Sequence, residues 1–103
     1  MVQADSAGDA AASDGLAARF AALQRHFVEG LPARWSALAL APRGSDAQRA
    51  ELHRLAGAAG SFGYTALGQA ASAAEHCNDV ELGAALSTLK ALLWLAIKAE
   101  TAQ

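Results

Sequence analysis

Apolar side chains recur at steps of three and four residues along most of this chain, the spacing that places them on one face of an α-helix. In the first segment this pattern keeps its phase over the positions Leu16, Phe20, Leu23, Phe27, Leu31, Trp35 and Leu38. Gly30 and Pro32 interrupt the segment. Because proline is tolerated in the first turn of a helix, we predict a kinked or split helix with Pro32 at the start of its second part.

The middle of the chain predicts two shorter helices. After the turn APRGSD at Ala41–Asp46, Ser45 and Gln48 have the three-residue spacing of a capping box, which marks a helix start. This helix is expected to bury Leu52, Leu55, Ala59 and Phe62. We expect Gly63 to end it in the left-handed conformation and Thr65 to cap the following helix. That next helix is expected to bury Leu67, Ala70, Ala71 and Ala74.

The last predicted helix begins near Asn78, which has the spacing of a capping pair with Glu81. Its apolar face contains Leu82, Leu86, Leu89, Leu93 and Ile97. Three further apolar side chains lie outside that face, and either the first helix covers them or they contact another protein: Leu92, Trp94 and Leu95. Short turns between the segments predict an all-α fold, an antiparallel up-down four-helix bundle with a kinked or split N-terminal helix.

Composition narrows the class of protein. Abundant alanine and leucine, with only two prolines in 103 residues, support a single helical domain. The formal net charge of −2 gives no electrostatic basis for contact with nucleic acid or a membrane surface. The one cysteine, Cys77, excludes an internal disulfide and fits a reducing compartment. Because the richest apolar run, Ala91–Ile97, is too short to span a bilayer, we expect a cytoplasmic domain.

The N-terminal stretch at residues 1–13 is small and polar, and it has no helical periodicity. It also lacks the basic start and apolar run of a signal peptide. We therefore predict a disordered tail or a linker at residues 1–13 and a bundle domain at residues 14–103. A free-standing protein and a domain of a longer kinase chain both remain open.

The segment ELHRLAGAAGSFGY, Glu51–Tyr64, combines a helical pattern with two glycines that each cost about 1 kcal/mol relative to alanine. At 100° per residue, His53 lies about 140° from the centre of the apolar face, on the outward side. Arg49 is its one large neighbour at helical spacing, and the others are Ala50, Ala56, Gly57 and Gly60. We interpret this pattern as an imidazole left open to close approach by another protein surface.

A carboxylate is predicted to lie beside this histidine. In a helical hairpin that turns near Tyr64, residues whose numbers add to about 128 face each other, and Glu75 is then the partner of His53. A carboxylate that accepts a hydrogen bond from Nδ1 would fix the tautomer and leave Nε2 as the nucleophile.

The run HRLAGAAGSFG from His53 to Gly63, followed by Glu75, resembles the signature of histidine-containing phosphotransfer (HPt) domains. The resemblance implies a four-helix bundle whose outward histidine carries a phosphoryl group at Nε2 in a multistep phosphorelay. It assigns the phosphorylated position to His53, clearance for the phosphoryl group to Gly57 and orientation of the imidazole to Glu75. Many members have lysine three residues after the histidine, where this chain has Ala56.

The resemblance also implies a docking surface around His53. Arg49 or Arg54 could replace the positive charge of the lysine, although neither has the same helical angle. Gln69 and Ser72, on the outward side of the third predicted helix, could contact a docked partner. With the residues named above, the candidate phosphoryl pocket and docking surface comprise Arg49, Arg54, Ala56, Gly57, Gly60, Gln69 and Ser72.

The leading hypothesis is a phosphoryl carrier with no kinase activity of its own, because the sequence contains no nucleotide-binding loop. Its partners would be receiver domains of response regulators and a sensor or hybrid histidine kinase, in the same parent chain or separate. We expect no metal site and no cofactor in this chain, with Mg²⁺ supplied by the receiver. The alternative is an interaction module of the same fold whose histidine is not phosphorylated.

Overall fold

The computed structural model of the chain describes residues 2–102, with side chains from residue 14 onward. All regular secondary structure in this part is helical: α1 Val2–Glu29, α2 Leu31–Leu40, α3 Asp46–Ser61, α4 Thr65–His76 and α5 Asp79–Thr101. The predicted tail or linker at residues 1–13 lies outside the residues whose side chains are described, so the domain boundary at residue 14 stays a prediction.

The first predicted helix is split. Gly30 separates α1 from α2 and is the N-cap of α2, and Pro32 lies in the first turn of that helix, as predicted. The proline has no N–H to donate, and the first-turn N–H groups of a helix have no intrahelical partner in any case. The all-helical fold with a divided first segment is therefore confirmed.

Side-chain caps start α3 and α5 where the sequence placed them. The Ser45 hydroxyl accepts a hydrogen bond from the Gln48 N–H at 3.1 Å, and the Asn78 side-chain oxygen accepts one from the Glu81 N–H at 2.9 Å. Gly63, with φ +85°, ends α3 in the left-handed conformation.

The predicted cap at Thr65 is wrong. The N-cap of α4 is Tyr64, which makes no side-chain capping bond. The Tyr64 N–H donates to the Ala59 carbonyl at 2.8 Å, and its carbonyl accepts from the Gly68 N–H at 2.9 Å. Because these backbone bonds already close the turn, Thr65 is the first helical residue and lies one position too late to act as a cap.

All five helices contribute side chains to one hydrophobic core. The buried apolar side chains are Phe27, Val28, Leu31, Leu38, Leu52, Leu55, Ala59, Leu67, Ala71, Ala74, Leu82, Leu86, Leu89 and Leu93. Four predicted core residues are only half-buried: Trp35, Phe62, Ala70 and Ile97. Among the helix pairs, α3 and α4 have the most extensive contact, and α4 packs next most extensively on α5. The core therefore fixes α3 and α4 against each other.

The apolar face of α1 continues towards the N-terminus beyond the part of the helix that is buried. Leu16, Phe20 and Leu23 continue the apolar face predicted for the first segment, but they are 64%, 43% and 52% exposed. The aromatic contacts of α1 with the end of α3 reach from Phe27 to Phe20, which lies 6.4 Å from Phe62 between ring centroids. A helix rises 1.5 Å per residue, so Leu16 lies about 16 Å along the axis from Phe27, beyond the cover that α3 provides.

The outer side of α5 is also exposed, with Trp94 46% and Leu95 61% accessible, whereas Leu92 is half-buried. The expectation that the first helix covers these side chains is therefore wrong for Trp94 and Leu95. By length and composition alone, α5 could cross a membrane. Its leucine face is nevertheless buried against the other helices, as in the core helix of a bundle.

Candidate functional site

His53 lies on the outward face of α3, with 76% of its side chain exposed. A Cβ atom added at Gly57 or at Gly60 would meet no neighbouring atom within 4 Å, so the surface beside the imidazole is open. This surface forms a shallow groove of about 450 Å³ between α3 and α4, lined by His53, Ala56, Gly57, Gly60, Thr65, Gly68, Gln69, Ser72, Glu75 and His76. The two glycines expose the histidine to any partner that fits the groove.

A carboxylate on α4 contacts the Nδ1 side of the imidazole. Nδ1 of His53 lies 3.2 Å from both carboxylate oxygens of Glu75. The Glu75 side chain is 19% exposed, so the contact is partly shielded from water on the acid's side. A neutral imidazole that donates from Nδ1 retains its lone pair on Nε2. The site therefore presents a nucleophilic nitrogen to the solvent side of the groove.

The close approach of the two helices depends on a third glycine. A Cβ atom added at Gly68 would lie 3.2 Å from the Ala56 carbonyl oxygen and 3.4 Å from the Gly60 nitrogen. Both of these atoms belong to the backbone of α3, which cannot move aside as a flexible side chain can. Gly68 therefore allows α3 and α4 to pack at the distance that the contact between His53 and Glu75 requires.

Alanine substitutions distinguish the open glycines from the packed one. We expect Gly57→Ala to raise the free energy of unfolding by about 1 kcal/mol, because alanine has the higher helix propensity and its methyl group meets nothing. Gly68→Ala has the same propensity gain, but it forces two backbones apart, and overpacking costs about 1–3 kcal/mol. Urea denaturation should therefore rank the Gly57 variant above the Gly68 variant. Equal stabilities would show that α3 and α4 are not tightly packed at Gly68.

Three other predicted residues line the groove. Ala56 lies on its α3 side, and Gln69 and Ser72 lie on its α4 side, with Gln69 exposed and Ser72 half-buried. They surround the imidazole with short or polar side chains and leave its accessible face uncovered.

The two predicted arginines are not part of the groove lining. Arg49 points to the end of α4, where it donates hydrogen bonds to backbone carbonyls. Arg54 is paired with Glu51 on its own helix. Within the described residues, the lining thus contains no lysine or arginine.

Three of the lining residues were not predicted from the sequence: Thr65, Gly68 and His76. The hairpin pairing that places Glu75 opposite His53 also places Gly68 opposite Gly60, so the signal was present for this glycine. The side chain of His76 is 72% exposed. Its Nδ1 donates to the Ser72 carbonyl at 2.8 Å, which leaves Nε2 free to face outward.

A model of the Hpt domain family matches residues 22–99. This range includes the C-terminal part of α1, all of α2, α3 and α4, and most of α5. The chain belongs to the Hpt domain family. The resemblance inferred from the run at His53 is thereby confirmed. Comparisons with curated proteins and with solved structures found no significant match.

Membership has direct consequences for function. Hpt domains are phosphotransfer modules of two-component signalling, and they carry a phosphoryl group without kinase activity of their own. They interact with receiver domains and kinases in phosphorelays, and they are typically soluble and cytoplasmic. Among the residues that the structure describes, no group of three His, Cys, Asp or Glu side chains is placed to hold a metal ion.

Proposed function

We propose that this Hpt domain relays a phosphoryl group between receiver-domain aspartates through Nε2 of His53. The observation that carries the proposal is the pairing of an exposed imidazole with Glu75 at 3.2 Å, next to a surface cleared by Gly57 and Gly60. The scaffold would be an antiparallel up-down bundle in which α1 and α2 together form the first helix. The partners would be response-regulator receivers and a sensor or hybrid histidine kinase.

The transfer step can be written from the groups at the site. The Nε2 lone pair of His53 attacks the phosphorus of a receiver's aspartyl phosphate, a P–N bond forms, and the P–O bond to the aspartate breaks. The aspartate leaves as a carboxylate, and the proton on Nδ1 stays where it is. The ring gains positive charge as the P–N bond forms, and the Glu75 carboxylate stabilises that charge. In the reverse step a receiver carboxylate attacks phosphorus and the P–N bond breaks.

Compensation of the phosphoryl charge would come from the partner. In the described part of the chain no arginine or lysine lines the groove, and Ala56 stands where many Hpt domains have lysine. The receiver would therefore provide the cations that stabilise the transferring group, including Mg²⁺. This chain would contribute the positioned nucleophile and the docking surface.

The same observation supports the second candidate function. Position 56 is alanine and not lysine, and Arg49 and Arg54 are directed away from the groove. An Hpt fold of this kind could act as an interaction module whose histidine is not phosphorylated. Such a module would still bind receivers through the groove. The two functions differ in whether a covalent phosphohistidine forms.

Incubation of the purified chain with a receiver domain carrying radiolabelled phosphate distinguishes them. We expect label to appear on this chain in an adduct that is labile in acid and stable in alkali, as a phosphoramidate bond requires. Addition of a second, unphosphorylated receiver should then remove the label from this chain. Binding of receivers without any transfer of label would support the interaction module instead.

Glu75→Ala should slow transfer without abolishing it. Without the carboxylate, His53 has the Nδ1–H tautomer only part of the time, and the positive charge on the ring loses its neighbour. We expect a rate reduction of roughly 10-fold, below the 10²–10⁴-fold typical of a general acid or base. Rapid-quench transfer from a labelled receiver measures this rate. Glu51→Ala is the matched control, because Glu51 is on α3 and pairs with Arg54 outside the groove.

A further inference from the structure

We propose that Arg49 is a positioning residue that fixes the C-terminal end of α4, and with it Glu75, against His53. This inference rests on the proposed function of His53, and it assigns Arg49 a task other than contact with a phosphoryl group. Arg49 lies on α3 one helical turn before the histidine, so the two side chains project from neighbouring positions of the same helix.

The guanidinium group of Arg49 binds four oxygen atoms. Its Nη1 donates to the backbone carbonyls of Glu75 and Cys77, the latter at 3.1 Å. Its Nη2 donates to Oδ1 of Asp79 at 3.1 Å, and its Nε donates to the Gly44 carbonyl at 3.4 Å. One side chain thus connects the turn before α3 to the end of α4 and the first residue of α5.

The end of α4 needs such a partner. The last carbonyl groups of a helix have no intrahelical donors and carry the negative end of the helix dipole, which favours a cation at this place. The Arg49 side chain is only 25% exposed, so its bonds to the backbone carbonyls are partly shielded from competition by water.

The set of hydrogen bonds from Arg49, called the Arg49 clamp below, acts on Glu75 in particular because one of them is to the Glu75 carbonyl. Arg49 holds the backbone of the same residue whose carboxylate contacts His53 at 3.2 Å. Two side chains of α3 therefore hold Glu75, one at its backbone and one at its carboxylate. Without the backbone contact, the carboxylate would start from a less defined position, and the imidazole would lose its fixed acceptor.

Arginine suits this task better than lysine does. Its planar group presents five N–H donors in a fixed arrangement, and four of them bind oxygen atoms here. A lysine ammonium is instead a compact group with three donors. Arg49→Lys is therefore expected to keep the charge at the end of α4 but only part of the hydrogen bonding, and Arg49→Gln is expected to lose both.

The tautomer of His53 in the free, unphosphorylated chain provides the test. Nitrogen-15 NMR of the imidazole separates a protonated from an unprotonated ring nitrogen at neutral to alkaline pH. We expect the Nδ1–H tautomer to dominate in the native chain, and its population to fall in Arg49→Gln to the level found in Glu75→Ala, with Arg49→Lys between the two. Arg54→Gln, which removes an arginine paired with Glu51, should leave the His53 tautomer unchanged.

The double variant tests whether the effect acts through Glu75. In a Glu75→Ala background, Arg49→Gln should produce no additional change in the His53 tautomer. A native tautomer population in Arg49→Gln, or an equal further shift in the double variant, would overturn the proposal. If Arg49→Gln does not fold, the same comparisons use Arg49→Lys.

These measurements need no phosphoryl donor, so they distinguish failure of this inference from failure of the proposed relay. Transfer assays on the same variants test the relay separately. A shifted tautomer together with absent transfer in the native chain would support the Arg49 clamp and contradict the phosphorelay function.

Discussion

His53→Gln is expected to abolish phosphoryl acceptance and to leave the fold intact. The glutamine side chain has no nucleophilic nitrogen that could form the P–N bond. His53 is 76% exposed and has one polar side-chain contact, with Glu75, so its loss should change the free energy of unfolding by less than about 0.5 kcal/mol. Incubation with a labelled receiver measures acceptance, and thermal unfolding followed by circular dichroism measures stability.

The other two histidines of the chain provide matched controls. His26→Gln and His76→Gln remove exposed imidazoles, and His76 lies in the same groove as His53. Neither substitution removes the acceptor nitrogen of His53, so both variants should still form the labelled adduct. Acceptance by His53→Gln at a comparable rate would show that another residue carries the phosphoryl group.

Gly57→Leu is expected to block docking of the receiver while keeping the fold. The isobutyl group would occupy the open surface one helical turn after His53, where even a Cβ atom now meets nothing within 4 Å. A misplacement of reacting groups by about 1 Å can reduce a rate by about 10²-fold, so we expect a loss of at least that size. Helix propensity should raise the free energy of unfolding slightly, by less than about 1 kcal/mol.

Gly15→Leu is the matched control for that substitution. It makes the same chemical change at a helical glycine whose added Cβ atom would also meet nothing within 4 Å, on α1 and outside the groove lining. This variant should transfer at the native rate. Transfer at the native rate by Gly57→Leu as well would show that Gly57 has no clearance role.

The sequence predicted the local structure well because the relevant signals are local. Ser45 and Asn78 cap the helices that follow them, and Gly63 takes the positive φ that a side chain disfavours. Pro32 marks the start of α2 because its missing N–H is tolerated only in a first turn. Each of these positions depends on interactions within a few residues of the chain.

Apart from the cap assigned to Thr65, what the sequence did not predict concerns contacts between distant segments. Leu16, Phe20 and Leu23 have the correct helical phase, but phase tells which side of a helix is apolar and not whether another element reaches that far. The same limit applies to Arg49, whose helical angle gave no indication that the carbonyl groups at the end of α4 lie within its reach. Glu75 could be placed opposite His53 because the α3–α4 turn is short and fixes the pairing.

The division of α3 into two faces has a consequence for the evolution of signalling pathways. Leu52, Leu55 and Ala59 supply the buried face, whereas the opposite face carries His53 and two glycines with open space above them. Substitutions on the outward positions can therefore accumulate with little effect on stability. Duplicated copies of such a domain could diverge in partner choice one surface residue at a time, and so become insulated from one another's signals, with the same nucleophile and the same core.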